Sequence, residues 1–269
     1  MNRDGWRGLA VAVMPVVVLF GGALLGALRT SLQPAPGPVF GAVDASAWGD
    51  VLGDPAFRDA LVFTGRLTLV STVLSAVLAV GAAALLRRRP AVQAVFSLPV
   101  LVPHLLAAVL AALWLGAGGL VDRALGELPV VLVRDRAGWG IVLVYLFKEV
   151  PFLTLLVLST WGPATEDRAE AAATLGAGRA ARLRFVVWPA IRAPLLLGSV
   201  IVAAYVFGSF EVPLVVGPSH PPTLATYALD ATRTASLVGQ ARASAALLVA
   251  AGVSLGVAVV ALAGVRREL

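Results

Sequence analysis

Six stretches of this chain stay apolar for 20 residues or more, about the length at which a helix crosses the hydrocarbon core of a bilayer. They run from about Leu9 to Leu28, Leu61 to Leu86, Val92 to Leu115, Trp139 to Leu158, Ala193 to Val216 and Ala245 to Val265. No other feature limits the fold as strongly. Inside lipid every peptide N–H and C=O needs a partner within the protein, so only helices and closed barrels span. Runs of this length and apolarity read as spanning helices. The expectation is an all-α membrane protein with six transmembrane helices. Composition agrees: 59% of the 269 residues are hydrophobic and 13% charged, where a soluble domain is nearer half and a quarter. The first stretch follows Arg3 and Arg7 and so imitates a signal peptide. It is longer than a signal core and five further spans follow, so it reads as a span.

The connecting segments set the orientation. Residues 29–56 are rich in Pro, Gly and Asp and read as an outer loop, as does the segment carrying Asp122, Arg123, Glu127, Arg134, Asp135 and Arg136. With the N-terminus cytoplasmic, 12 of the 21 Lys and Arg fall on the inner side, including the clusters Arg87–Arg89 and Arg266–Arg267 flush against span ends. Basic residues are retained on the cytoplasmic side, so both termini are expected inside. The net charge of +6 is accounted for in that way and calls for no nucleic-acid partner. With no cysteine, disulfides and thiolate metal sites are excluded.

The longest polar interruption with helical character, residues 162–192, lies between the fourth and fifth spans. Thr165, Glu166 and Asp167 offer a hydroxyl cap and acidic side chains for a first turn, and "RAEAAATL" is strongly helix-forming. Gly176 tolerates the left-handed conformation that ends a helix. "AGRAARLRFVVW" starts a second helical segment, and Pro189, lacking an amide hydrogen, is expected to limit it. The product is helix, sharp turn, helix on the cytoplasmic side, with Ala171, Ala172 and Ala177 keeping its surface small enough for close approach by another body.

The spacing in this segment is Glu170-Ala171-Ala172, three residues, Gly176, nine residues, then Val186-x-x-Pro189. It resembles the signature of the permease subunits of ATP-binding-cassette (ABC) importers: Glu-Ala-Ala, three residues, Gly, nine residues, Ile-x-Leu-Pro. Val186 stands for the Ile and Trp188 for the Leu. "DPAFRDALVFTGRLTLVSTVLSAVLAV", "LPVLVPHLLAAVLAALWL" and "FGSFEVPLVVG" resemble other parts of that family's membrane core, so the likeness covers roughly residues 45 to 265. It implies one permease domain, 1–269, with a core at 57–265 and a coupling loop at 162–192. It also implies four partners or surroundings: a dimer of cytoplasmic ATPases, a second permease (expected to be a different chain), an external solute-binding protein and the bacterial inner membrane. Glu170, Ala171, Ala172, Leu175, Gly176, Ala177 and Pro189 would then form the ATPase-coupling surface. The details look most similar to the polyamine, thiamine and iron branch, which implies a polyamine-like or other small charged solute; a sugar is the alternative.

What is missing fits a subunit that depends on another for ATP. No G-x-x-x-x-G-K-[ST] occurs, so no P-loop cradles nucleotide phosphates. "GAGRAA" follows a helix and lacks the third glycine of a dinucleotide loop. No catalytic triad, paired-carboxylate site or metal cluster stands out, and no cofactor is called for. His104 and His220 have no carboxylate or histidine close by in sequence and read as packed or solvated side chains. An ion-coupled secondary transporter is the competing class, but the inverted repeat common in such proteins is not evident.

Charges within spans are costly and by default point to function. Lys148 and Glu149 fall in the fourth span ahead of Pro151, and Glu211 toward the outer end of the fifth, beside Pro213. Adjacent residues on a helix diverge by about 100°, so Lys148 and Glu149 are not expected to pair with each other. All three are candidates for the translocation path or its gate. Helix–helix stabilisation is the simpler role, and two carboxylates on the path would suit a cationic solute.

Overall fold

The fold was taken from a computed structural model, which describes residues 3–32, 43–126, 132–233 and 236–268. Glu127 lies outside the described residues, as does the middle of the first outer loop. Within them the chain is helical, with no strand. In chain order the helices are α1 (Arg3–Leu32), α2 (Ser46–Gly53), α3 (Pro55–Leu86), α4 (Pro90–Phe96), α5 (Leu98–Leu101), α6 (His104–Leu115) and α7 (Leu120–Leu125). There follow α8 (Trp139–Thr160), α9 (Pro163–Thr174), α10 (Arg179–Arg182), a π-helical turn (Leu183–Val187), α11 (Trp188–Gly208), α12 (Glu211–Val216), α13 (Leu224–Arg233) and α14 (Leu237–Glu268). Six helical runs are long and apolar enough to cross a membrane: Val13–Leu32, Pro55–Leu86, His104–Ala124, Trp139–Thr160, Arg179–Gly208 and Leu237–Val259. The expected all-α, six-span architecture is what the chain adopts.

The third and fifth spans differ from expectation, each because of the backbone rather than hydropathy. The apolar run from Val92 to Leu115 is not one helix. It is interrupted at Ser97 and again at Val102–Pro103, where Val102 is extended (φ −77°, ψ 127°). Proline disfavours the helical region for the residue before it, and Pro103 enforces the second break. The run from Ala193 to Val216 is also cut, at Ser209–Phe210. In the other direction, helix continues upstream through Pro189 to Arg179. The widened ladder of the π turn ends with the Trp188 amide donating to the Leu183 carbonyl, and Pro189 then falls in the first turn of α11, where a missing N–H costs nothing. Pro189 is therefore absorbed in a helix it was expected to stop.

The chain forms two compact units, their boundaries falling within α3, at the start of α13 and within α14. One comprises residues 1–61 and 224–252. In it Trp48 Nε1 donates to Ser31 Oγ (3.1 Å), and Tyr227 Oη donates to Asp54 Oδ2 (2.7 Å) with Phe57 edge-on to the Tyr227 ring. Burial, with the hydrogen bond and charge of Asp54, pushes the Tyr227 phenol up to about 12. Arg242 pairs with Asp50 at 3.0 Å.

The other unit, residues 62–223 and 253–269, is built around α8. Ile141, Tyr145, Leu153 and Val157 on α8 are fully buried, packed by α6 and α11. Apolar helices gain nothing from leaving lipid for one another, so close fit must hold them together. Gly198 of α11 provides it: a Cβ there would lie 2.5 Å from Leu156 Cδ1 and 2.7 Å from Leu153 Cδ2. At one end of this unit Ala83 of α3, Val157 of α8, Trp161 just past its end, Val187 of the π turn and Ile191 and Leu195 of α11 form a separate apolar cluster. The 162–192 segment stands on it.

Candidate functional site

Two places in the second unit combine chemistry with geometry: the polar segment between α8 and α11, and a group of charged and aromatic side chains within the spans.

The segment begins earlier than its hydroxyl suggested. Gly162 is the N-cap, Pro163 takes the first helical position, and Thr165 is buried with Oγ1 donating back to the Thr160 carbonyl at 2.9 Å. Proline is pre-organised for that first position, which leaves Thr165 no capping role. The other end is as the sequence implies. Gly176 has φ +87°, its amide donates to Ala173 O and that of Ala177 to Ala172 O, both at 3.0 Å. These two bonds make a Schellman turn, and their acceptors lie in and next to the Glu-Ala-Ala triplet. At its tip Leu175 is 88% exposed. Pro189 sits apart from this turn, in α11 beneath it.

An ion network fixes α9 to the end of α3. Arg88 donates to Glu166 Oε2 (2.7 and 3.0 Å) and to Glu170 Oε1 (2.9 Å), and Arg87 donates to Glu166 Oε1 while its guanidinium lies 5.2 Å from the Trp161 ring centroid. Burial pushes the Glu166 carboxyl up, but the hydrogen bonds and charges of Arg88 and Arg87 outweigh it and hold the group below the usual carboxylate range. None of these partners is close to Glu166 in sequence.

Within the spans, Lys148 and Glu149 diverge as helical geometry requires. Lys148 is 4% exposed, and its Nζ donates to the carbonyls of Pro99 (2.5 Å), Val100 (3.2 Å) and Val102. Those carbonyls lie where α5 ends, that of Pro99 accepting the Val102 amide as well, and a cation there suits carbonyls that a helix end leaves without intrahelical partners. Glu149, 6% exposed, lies with Oε1 2.9 Å from Nε2 of His104, the first residue of α6. The adjacent pair on α8 thus holds both sides of the break between α5 and α6. His104 is not the partnerless side chain its sequence neighbours implied; its carboxylate is 45 residues away, and tertiary packing alone brings them together. His220 is exposed in the loop after α12.

The His104 ring stacks on Tyr205 of α11 (centroids 4.3 Å, 39°), and Tyr145 meets Tyr205 edge-on. A cavity of about 210 Å³ is lined by Val100, His104, Lys148, Glu149, Phe152 and Tyr205. A second, of about 340 Å³, is lined by Ala204, Tyr205, Gly208, Ser209, Phe210 and Glu211, so Tyr205 borders both. Glu211 begins α12, just past the second helix break. The three predicted charges therefore border two cavities that share Tyr205, with His104 and Ser209 as further lining residues no local pattern announced.

Interrupted apolar helices bordering two cavities, with a polar helical foot between two of the spans, make up this part of a multi-pass membrane protein. Comparison with known proteins narrows this. No family model matches the chain. Over 101 residues, 37% of its length, the chain is 32% identical to the thiamine transport system permease protein ThiP of Brucella abortus, and that match spans 19% of the relative's length. Over 225 residues, covering 82% of this chain and 77% of the relative, it is 26% identical to a probable molybdenum ABC transporter permease protein of Haloferax volcanii. Its fold superposes, with TM-score 0.78 and 19% identity over 98% of this chain, on a chain of a bacterial alginate ABC transporter solved with an alginate pentasaccharide-bound periplasmic protein. A second structure, of a transporter importing the acidic polysaccharide alginate, gives TM-score 0.76 at 18% identity. The chain is a multi-pass membrane protein that is similar to ABC permeases over most of its length.

Proposed function

We propose that this chain is one of two permease subunits in an ATP-driven importer of a bacterial inner membrane. Both termini and the 162–192 segment face the cytoplasm, where that segment docks on a separate ATPase dimer. An external binding protein delivers a small charged solute to the other face, and a second, different permease completes the path. ATP is hydrolysed by the partner subunits, whose closure tilts the spans through the foot.

The turn at Gly176 carries this reading. It presents Leu175, almost fully exposed, and Glu170, whose side chain is 65% exposed, on a narrow alanine-sided ridge. A large apolar side chain at the tip of a polar segment is what a partner's groove would cover. The ridge in turn stands on the apolar cluster that joins α3, α8 and α11, so a push on it reaches three helices at once.

Co-purification tests the assignment. The unaltered chain retains an ABC ATPase through affinity purification. Glu170→Lys and Gly176→Asp each lower that retention about tenfold, equivalent to ~1.4 kcal/mol, while the chain remains folded in the membrane. Unchanged retention and transport in both variants would refute coupling through this turn.

A further inference from the structure

We infer that the region around Tyr205 binds the protonated amine of an organic cation, an assignment that rests on the permease reading above and names the solute class for it. Four observations converge there.

The first is an unpaired carboxylate. Among the described residues Glu211 has no ion-pair or hydrogen-bond partner, and it stands half-buried at the edge of the larger cavity, just past the end of the fifth span. A charge in such a place is costly unless a counter-charge meets it.

The second is a pair of orphan hydroxyls. Tyr145 is 1% exposed and Ser209 9% exposed, and neither Tyr145 Oη nor Ser209 Oγ has a hydrogen-bond partner. Ser209 lies close to the hydroxyls of Tyr145 and Tyr205, but not in bonding geometry to either. Buried polar groups are nearly always satisfied, and Ser209 lines the same cavity as Glu211. The Ser209 oxygen can accept an N–H from within that cavity.

The third is the sign of the surroundings. Lys148 is the one obligate cation among the residues lining the two cavities, and its ammonium is taken up by three carbonyls of the α5 end. His104 is held by Glu149. An anionic solute would find no uncommitted cation, whereas a cationic one finds Glu211 and the face of Tyr205, an aromatic surface that attracts ammonium groups.

The fourth is the backbone. Both interruptions, at 97–103 and 209–210, border these cavities, as shown by Val100 in one and by Ser209 and Phe210 in the other. Irregular backbone at membrane depth is tolerated where it lines a cavity, and interrupted spans are where transporters place their ligands.

The test uses the assembled transporter in lipid nanodiscs, with spermidine as cationic probe, citrate as anionic probe and maltose as neutral probe in equilibrium titrations. Spermidine binds saturably; citrate and maltose do not. Glu211→Gln weakens spermidine at least about tenfold, the consequence of losing a charged hydrogen-bond partner. Glu211→Asp retains binding within about threefold, and Ser209→Ala weakens it about threefold. ATPase association, measured on the same samples, stays at the unaltered level in all three variants. Absence of spermidine binding, equal binding by Glu211→Gln, or competition by citrate or maltose would overturn the site. Loss of ATPase association from the unaltered chain would overturn the permease reading beneath it, so the two failures are distinguishable.

Discussion

Lys148 shows how one residue can hold a broken span together. Its ammonium meets three carbonyls at the end of α5, of which that of Pro99 also accepts the Val102 amide, and its neighbour Glu149 secures the first residue of the next helix. An unsatisfied buried carbonyl costs about 1–3 kcal/mol. Lys148→Met, which keeps the length and removes the charge, is therefore expected to destabilise the protein by about 3 kcal/mol. That corresponds to a fall in Tm of roughly 5–10 °C, read by thermal unfolding of the purified transporter. Lys148→Arg, which keeps the charge and donors, is expected to recover part of it. An unchanged Tm in Lys148→Met would mean that the break is held by other means. That Lys148 and Glu149 would not pair with each other was legible from the helical period. That each would grip one side of the α5–α6 break was not, because hydropathy reads Val92 to Leu115 as one apolar run and is blind to what Pro103 does to the backbone. The signal available was the prolines at 99 and 103 themselves.

At the scale of elements, α9 and α3 move together if the Arg87–Arg88–Glu166–Glu170 network holds. Arg88 is two-thirds exposed, and exposed pairs contribute little singly; the shared Glu166, 19% exposed, is the anchor. Glu166→Gln is expected to raise amide hydrogen exchange in α9 about fivefold, equivalent to ~1 kcal/mol, and the exchanged pair Glu166→Arg with Arg88→Glu to restore part of the protection. Equal exchange in the single and exchanged variants would show that the network carries no load. The sign of the pH dependence follows from the lowered Glu166 value. A carboxyl held below its unfolded value, near 4.3, contributes its full stabilisation above that pH and loses it as pH falls through the lower folded value. Protection of α9 is thus flat from pH 8 to about 5 and declines only in acid. The turn at Gly176 was readable because glycine's freedom at φ +87° belongs to the residue itself. The stop expected at Pro189 did not occur: a π turn upstream placed the proline in a first helical turn, and nothing in a list of propensities foresees a change of ladder.

For the whole molecule, the six spans follow directly from apolar runs that lipid obliges to be helical, and those survive every local correction to their ends. The pairing of His104 with Glu149, and the meeting of both with Tyr205 and the neighbourhood of Glu211, depend on which faces of α6, α8 and α11 pack, and one chain's hydropathy does not encode that. The fold, the interrupted spans and the foot all bear on a single claim, that the 162–192 segment transmits work from an ATPase to the membrane helices. The chain contains no cysteine, so Leu175→Cys supplies a unique thiol at the exposed tip of the turn. The most direct measurement is cross-linking of that thiol to the co-purified ATPase in membrane vesicles, with and without ATP. Coupling through this segment requires a cross-link to the ATPase whose yield changes with nucleotide, and no labelling by an impermeant thiol reagent from the outer face. Labelling from outside, or no cross-link from a fully assembled transporter, would contradict it.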